Sequence, residues 1–110
     1  MIFTTTLKKN YEFKRLYNRG KSSASQYVAV YCKQNGTASS RLGITVSGKI
    51  GGAVIRNRIR RRLKEIYRTN EKSLKPGFDI VIAARRKCID ATYHEIETSV
   101  FAVFRKLSLL

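Results

Sequence analysis

The chain has 110 residues, of which 43% are hydrophobic, so it is long enough for one folded domain with a modest core. Lysine and arginine number 23 against 7 acidic residues, which gives a formal net charge of +16. The hydrophobic content excludes a disordered basic tail, and the charge favours a polyanionic partner. No stretch approaches the roughly 18 apolar residues of a membrane span, and residues 1–7 are too short and polar for a signal peptide. A cytoplasmic location is therefore expected.

The first predicted element is a helix that begins with Asn10 as its N-cap and runs to about Arg19. Glu12 lies near its positive end, and Gly20 ends it. Three apolar residues share one helix face, and the simplest interpretation packs all of them into the core: Phe13, Leu16 and Tyr17. Residues 21–26 are small and polar, which is typical of a connector.

Two strands are predicted next, at residues 27–33 and 41–46, because both stretches alternate and are rich in β-branched or aromatic residues. Asn35-Gly36 lies between them and is a strong turn signal, so the two strands are predicted to form a hairpin. The core is expected to receive Val28, Val30, Cys32, Leu42, Ile44 and Val46. The opposite face of the first strand would carry Tyr27, Ala29 and Tyr31.

A strongly basic helix follows the glycines at 51 and 52 and runs to about Asn70. Its apolar seam is narrow and has helical spacing: Ile55, Ile59, Leu63 and Ile66. The side opposite the seam carries Asn57, Arg61, Lys64 and Arg68. Two flanks lie between the seam and this side: Arg56 and Arg60 are on one, and Arg58 and Arg62 are on the other. Like charges this close repel one another, and no acidic residue relieves them before Glu65. A nucleic acid explains this pattern better than the alternative of a solvated face, which normally mixes both signs.

The last predicted elements are a strand at residues 78–84 and a C-terminal helix. The strand is almost continuously apolar, which is typical of a strand covered on both faces. Thr92 and Glu95 have the spacing of a capping box at the start of the helix. The predicted order is therefore α-β-β-α-β-α, an α+β fold in which helices pack on a small mixed sheet.

The sequence offers no catalytic or metal-binding cluster. His94 is the only histidine and is expected at the surface, while the seven acidic residues are scattered. Cys32 and Cys88 are far apart and belong to no metal-ligand pattern, so both are predicted to be free, buried or half-buried thiols. The glycines before the basic helix fit neither a P-loop nor a dinucleotide fingerprint.

The motif Gly51-x-Ala53-Val54-x-Arg56-Asn57-Arg58-x-Arg60-Arg61 resembles the signature of the protein subunit of bacterial ribonuclease P, which trims the 5′ leader of precursor tRNA. The resemblance covers almost the whole chain. It includes Phe13-x-x-x-Tyr17-x-x-Gly20, Tyr31, the strand Arg41-Leu42-Gly43-Ile44-Thr45-Val46-Ser47 and the strand end Ile82-Ala83-Ala84-Arg85. The family fold implies a left-handed βαβ crossover, against the usual right-handed rule.

The resemblance implies an accessory role, since catalysis in this family belongs to the RNA subunit and its Mg²⁺. No catalytic residue, protein-held metal, membrane contact or obligate protein partner is expected in this single RNA-binding domain of residues 1–110. The catalytic RNA would be contacted by Arg56, Asn57, Arg58, Arg60, Arg61 and Lys64. The leader of precursor tRNA would be contacted by Phe13, Tyr17, Tyr31, Lys49 and Arg85.

The leader assignment leaves open whether Phe13 and Tyr17 contact RNA, pack in the core, or do both. The sequence also departs from the family where Gly48 replaces a usual lysine, and where Ala84 separates the strand from Arg85. The first alternative function is a ribosomal protein or general RNA chaperone. The second, which is ranked below it, is a membrane-surface or DNA-compacting protein. A membrane-surface helix would show a wider apolar face with Trp or Phe.

Overall fold

The computed structural model describes residues 4–110, so the first three residues of the segment compared with a signal peptide lie outside the described part. Five strands form one mixed sheet in the order β1-β4-β5-β3-β2. The elements are β1 (Thr4–Thr6), α1 (Asn10–Arg19), β2 (Lys21–Ala24), β3 (Val28–Gln34), β4 (Ser40–Thr45), α2 (Ala53–Asn70), β5 (Phe78–Ala84) and α3 (Tyr93–Lys106). Short 3-10 helices span Glu71–Ser73 and Arg86–Asp90.

All six predicted elements are present in the predicted order, and the α+β fold with a mixed sheet is confirmed. Two further strands, β1 and β2, were not predicted, because their sequences, Thr-Thr-Thr and Lys-Ser-Ser-Ala, are short and show no alternation of large apolar and polar residues. The N-cap of α1 is Lys9, one residue before the predicted Asn10, and the Lys9 amide donates to Glu12 Oε1 at 3.2 Å. Thr92 and Glu95 form the predicted capping box of α3.

The predicted hairpin is wrong, because β5 lies between β3 and β4. It pairs antiparallel with β3 and parallel with β4, so its apolar residues are buried from both faces. The loop after β3 passes over the start of β5: the Asn35 amide donates to the Gly77 carbonyl, and Asn35 Nδ2 donates to Asp79 Oδ1 at 3.0 Å. Asn35-Gly36 is thus a turn, as its residues predict, but it connects strands that are not neighbours.

The sheet separates a large core from a small one. α2 and α3 cover one face, where Ile59, Leu63 and Phe104 pack against the inward residues of β3, β4 and β5. α1 covers part of the other face, where Leu16 packs with Leu7 and Val81. The predicted inward residues of β3, together with Leu42 and Val46, are buried, and Ile44 is half-buried against the same core.

A second correction concerns Tyr27, which was predicted to share a strand face with Tyr31 and does not. β3 begins only at Val28, and the Tyr27 amide donates to Ser25 Oγ in the preceding loop. Its ring therefore packs beside the large core, and its hydroxyl donates to Glu95 of α3. Tyr31 instead lies on the α1 face of the sheet.

The path from β4 through α2 to β5 is a βαβ unit between neighbouring parallel strands. The family resemblance implies a left-handed crossover at this point, and the order of elements is consistent with it. None of the helices in residues 4–110 combines the length and the apolar character needed to cross a membrane.

Candidate nucleic-acid interface

The polar side of α2 is a cationic surface, which we call the arginine face and define as Val54, Asn57, Arg60, Arg61 and Lys64. These residues line a shallow depression along the helix. Arg60 Nη1 donates to Asn57 Oδ1 at 2.9 Å, which holds that guanidinium along the helix surface. The seam residues Ile59, Leu63 and Ile66 are buried as predicted, so α2 is fixed to the sheet with its cations directed outwards.

Arg58 and Arg62 lie on the opposite flank of α2, against the 3-10 helix that follows β5. Arg58 Nη2 donates to the Ile89 carbonyl at 3.3 Å, and Arg62 Nη1 donates to the Ala91 carbonyl at 3.2 Å. Both guanidinium groups therefore help to hold this loop against α2. Arg58 is still exposed, so this packing contact leaves the rest of its guanidinium accessible.

The N-terminus of α2 lacks a capping side chain. Gly52 is the N-cap, and the first turn contains no acidic residue to offset the positive end of the helix dipole. Arg56 follows one turn later, and its Nε is buried without a hydrogen-bond partner. The first turn of α2 therefore combines uncapped backbone amides with the absence of acidic side chains, an arrangement that favours an anionic oxygen.

An aromatic cleft lies on the other face of the sheet, between α1 and the strands. The Phe13 ring covers Gly43, where a Cβ atom would come within 2.5 Å of Phe13 Cε1. Tyr17 and Tyr31 meet edge to face with their ring centroids 4.8 Å apart. Leu16 is buried as expected, whereas Phe13 is half-buried and Tyr17 is 41% exposed, so the expectation that all three are core residues fails for Tyr17.

The floor of the cleft beyond these rings is a row of small residues, three alanines and one threonine, that runs across four strands; we call it the alanine floor. Thr45 of β4 pairs with Ala83 of β5, which pairs with Ala29 of β3, which pairs with Ala24 of β2. Alternation places this row on the same face as Tyr31, and its members are half-buried or exposed. The cleft therefore has aromatic rings on its α1 side and an open floor beside them.

Lys49 and Arg85 both follow the C-terminal ends of their strands, and these ends lie at the same end of the sheet because β4 and β5 are parallel. Both side chains are exposed. Arg85 is oriented by its backbone amide, which donates to the Tyr27 carbonyl, and by Nη1, which donates to the Ser25 carbonyl at 2.8 Å. The predicted leader residues thus occupy two places. The rings of Phe13, Tyr17 and Tyr31 lie in the cleft, and the cations Lys49 and Arg85 lie beyond the strand ends that are nearest its floor.

A charged network holds α1 over the sheet. Arg41 of β4 donates from Nε and Nη2 to the two carboxylate oxygens of Asp79 on β5, at 2.8 and 2.6 Å, and from Nη1 to Glu12 of α1. The hydrogen bonds to Asp79 raise the pKa of Arg41 further above its ordinary value. This clamp fixes the position of the helix that carries Phe13 and Tyr17.

The histidine and the two cysteines have the exposure that the sequence predicts. His94 is exposed, and Cys32 and Cys88 are free and buried, as predicted. Burial raises the pKa of both thiols. Within residues 4–110, His, Cys, Asp and Glu side chains form no group of three or more that could hold a metal ion.

Sequence reasoning missed three features of this surface. Val54 is 83% exposed, and the helical spacing that places Asn57 and Arg61 outside places Val54 there too. The Arg41 clamp joins residues distant in sequence. The alanine floor appears only when the strands are aligned, so no local pattern indicates it.

A small α+β fold with a cation-covered helix and an aromatic cleft defines a class of basic proteins suited to polyanionic chains. The chain belongs to the ribonuclease P protein family, whose model, described as Ribonuclease P, matches residues 3–108. The ribonuclease P protein component of Alkaliphilus oremlandii is 41% identical over 104 residues, which cover 94% of this chain and 91% of the relative.

Two solved structures have the same fold. The RNase P protein of Staphylococcus aureus aligns with a TM-score of 0.87 and 34% identity, covering 94% of this chain and 95% of that one. The RNase P protein of Thermotoga maritima aligns with a TM-score of 0.83 and 30% identity, covering 96% of both chains. The family resemblance seen in the sequence is therefore confirmed.

Proposed function

We propose that this protein binds the catalytic RNA of ribonuclease P and the 5′ leader of precursor tRNA, and so promotes the endonucleolytic maturation of tRNA. The chemistry belongs to the RNA, and the chain is an accessory subunit. The observation that carries this proposal is the separation of two surfaces within one family fold: an arginine face on α2 and an aromatic cleft behind the sheet.

The arginine face suits folded RNA. Folded RNA is bound mainly through its shape, phosphates and 2′-hydroxyl groups, which a rigid row of cations can follow. The face supplies Arg60, Arg61 and Lys64, and the start of α2 adds the half-buried Arg56. Asn57 belongs to the same face, and Arg58 offers an exposed guanidinium on the opposite flank of α2. Together these residues are the proposed contacts with the RNA subunit.

The cleft suits a single-stranded leader. Single strands bind where bases can stack on aromatic rings and phosphates meet cations. Tyr17 and Tyr31 supply such rings, with Phe13 completing the wall over Gly43. The alanine floor leaves room for a strand, and Lys49 and Arg85 lie at the edge where its phosphates would leave the cleft.

Magnesium is expected to be held mainly by the RNA. Mg²⁺ prefers carboxylate, phosphate and water oxygens, and the acidic residues that lie near the cleft, Glu12 and Asp79, are already bonded to Arg41. The protein's contribution is a cationic surface that offsets phosphate repulsion and lowers the concentration of Mg²⁺ the RNA needs.

The test is reconstitution with a transcribed ribonuclease P RNA. Cleavage of precursor tRNA is measured over a range of Mg²⁺ concentrations, with and without the protein, and substrate affinity is measured in parallel. We expect the protein to lower the Mg²⁺ requirement and to raise the affinity for substrates that carry a leader. An unchanged Mg²⁺ requirement and affinity would refute the proposal, and cleavage by the protein without RNA would refute the division of labour.

A ribosomal protein or general RNA chaperone is the competing function. Such a protein would copurify with ribosomal subunits and would bind mature tRNA as well as it binds precursors with leaders. A competition experiment between the two tRNA forms separates the functions, because only a leader-binding cleft distinguishes them.

A further inference from the structure

The edge of the sheet between the two proposed surfaces contains a small slot. Its volume is about 180 Å³, and it lies where the short strand β1 ends beside β4. Pockets for drug-sized molecules begin at ~300 Å³, so a slot of this size accommodates one flat ring system.

Hydrogen-bonding groups are available along this edge. β1 pairs with β4 only as far as Leu42, whose carbonyl accepts a hydrogen bond from the Leu7 amide. Successive residues of a strand direct their backbone groups to opposite sides, so the N–H and C=O of Ile44 face the same side as those of Leu42, two residues earlier. Among residues 4–110, no strand pairs with Ile44 on that side.

The slot is lined by both apolar and cationic side chains. Leu7, Leu42 and Phe13 are its large apolar residues, and Arg60 and Lys64 of α2 are its cations. An apolar slot with backbone donors and acceptors fits a base that is read along its edge, and the cations fit the attached phosphate.

The same two cations also line the depression along the arginine face. A strand of RNA lying on that face therefore reaches the slot without crossing an uncharged surface. We infer that the slot receives one unpaired nucleotide of the catalytic RNA, with its base beside Phe13 at the unpaired backbone edge of Ile44 and its phosphate on Arg60 and Lys64. This inference rests on the proposed function.

The test blocks the slot after the protein has folded. Thr6 is exposed and lines the slot, and Cys32 and Cys88 are buried, so the variant Thr6→Cys provides one accessible thiol. N-phenylmaleimide then places a ring in the slot, and mass spectrometry with circular dichroism verifies single modification of a folded protein. Thr5→Cys, treated identically, is the matched control, because Thr5 is exposed on the same strand but does not line the slot.

Transcribed ribonuclease P RNA is the probe, followed by binding titration and by dimethyl sulfate mapping of unpaired bases. Blocking Thr6→Cys should weaken RNA binding by about 5- to 100-fold, the range expected for one lost base contact, and should expose one protected unpaired base. Blocking Thr5→Cys should change neither.

Three results would overturn the inference. Equal affinity and equal protection before and after blocking at position 6 would exclude a base in the slot. A loss confined to precursor tRNA with a leader would assign the slot to the leader instead. If the unblocked protein itself fails to bind the RNA, the proposed function falls, and the slot inference falls with it.

Discussion

Replacing Arg41 with methionine should destabilise the protein through the clamp that joins α1 to the sheet. Methionine keeps much of the aliphatic stem but removes the guanidinium that bridges Glu12 and Asp79. The side chains of these two acids are only 11% and 14% exposed, so the variant leaves two poorly solvated carboxylates near each other. Each keeps one other hydrogen bond, Glu12 from the Lys9 amide and Asp79 from Asn35.

The magnitude follows from the exposure of the three groups. Breaking a fully buried ion pair costs ~3–5 kcal/mol, whereas an exposed pair contributes up to ~1 kcal/mol. The Arg41 side chain is 35% exposed, which places the clamp between these limits. We expect a loss of about 2 kcal/mol in the free energy of unfolding, or roughly 8–10 °C in Tm for a domain of this size.

Urea unfolding at pH 7 and low salt, followed by circular dichroism, measures this loss. The matched control is Arg68→Met, because Arg68 and Glu65 form an i,i+3 pair whose side chains are 53% and 47% exposed. That variant should lose at most ~0.5 kcal/mol. A second control combines Arg41→Met with Glu12→Gln and Asp79→Asn, which removes the stranded charges and should recover at least half of the loss.

The clamp reasoning would be refuted if Arg41→Met and Arg68→Met lost equal stability. It would also fail if neutralising the two acids recovered nothing, since the cost is assigned to their unpaired charge. A binding measurement extends the test, because a displaced α1 should weaken the binding of leader-bearing precursor tRNA more than it weakens the binding of the RNA subunit.

Three further predictions concern the site and the thiols. Arg60→Ala with Arg61→Ala should weaken RNA-subunit binding and reduce its salt slope by about one for each lost phosphate contact, as measured by titration at several salt concentrations. Tyr31→Ala should spare assembly with the RNA subunit but weaken leader-bearing substrate by ~1–3 kcal/mol; equal loss of both activities in both variants would contradict the assignment. Cys32 and Cys88 should react slowly with a disulfide reagent until urea unfolds the protein, because burial raises the pKa of each thiol.

The features that could be predicted from the sequence are those set by local spacing. The seam of α2 is visible because Ile59, Leu63 and Ile66 repeat at helical intervals, and the same intervals direct the arginines away from the core. The capping box of α3 depends on two residues three positions apart. The motif in α2 is equally local, which is why the family could be recognised from the chain alone.

The features that could not be predicted depend on pairing between distant segments. The hairpin interpretation treats Asn35-Gly36 as a connection between neighbours, but the strand at Phe78–Ala84 is apolar enough to need a partner on each side. Burying it between β3 and β4 satisfies its backbone groups and covers both faces. A turn signal reports that the chain reverses there, and it carries no information about what lies between the two strands.

The cleft shows why a proposed binding surface can be missed when a sequence is searched residue by residue. Its rings are recognisable, since Tyr31 points away from the large core. Its floor consists of Ala24, Ala29, Ala83 and Thr45, and none of these small residues is distinctive when taken singly. A sheet face left open by a short helix would expose a sizeable apolar surface if these residues were large, and would invite aggregation. Small side chains reduce that surface and also leave the depth that a single strand requires. The space for a ligand is therefore created by small side chains at paired positions. These positions become neighbours only when four strands are aligned in the sheet, so no single segment of the sequence reveals the space.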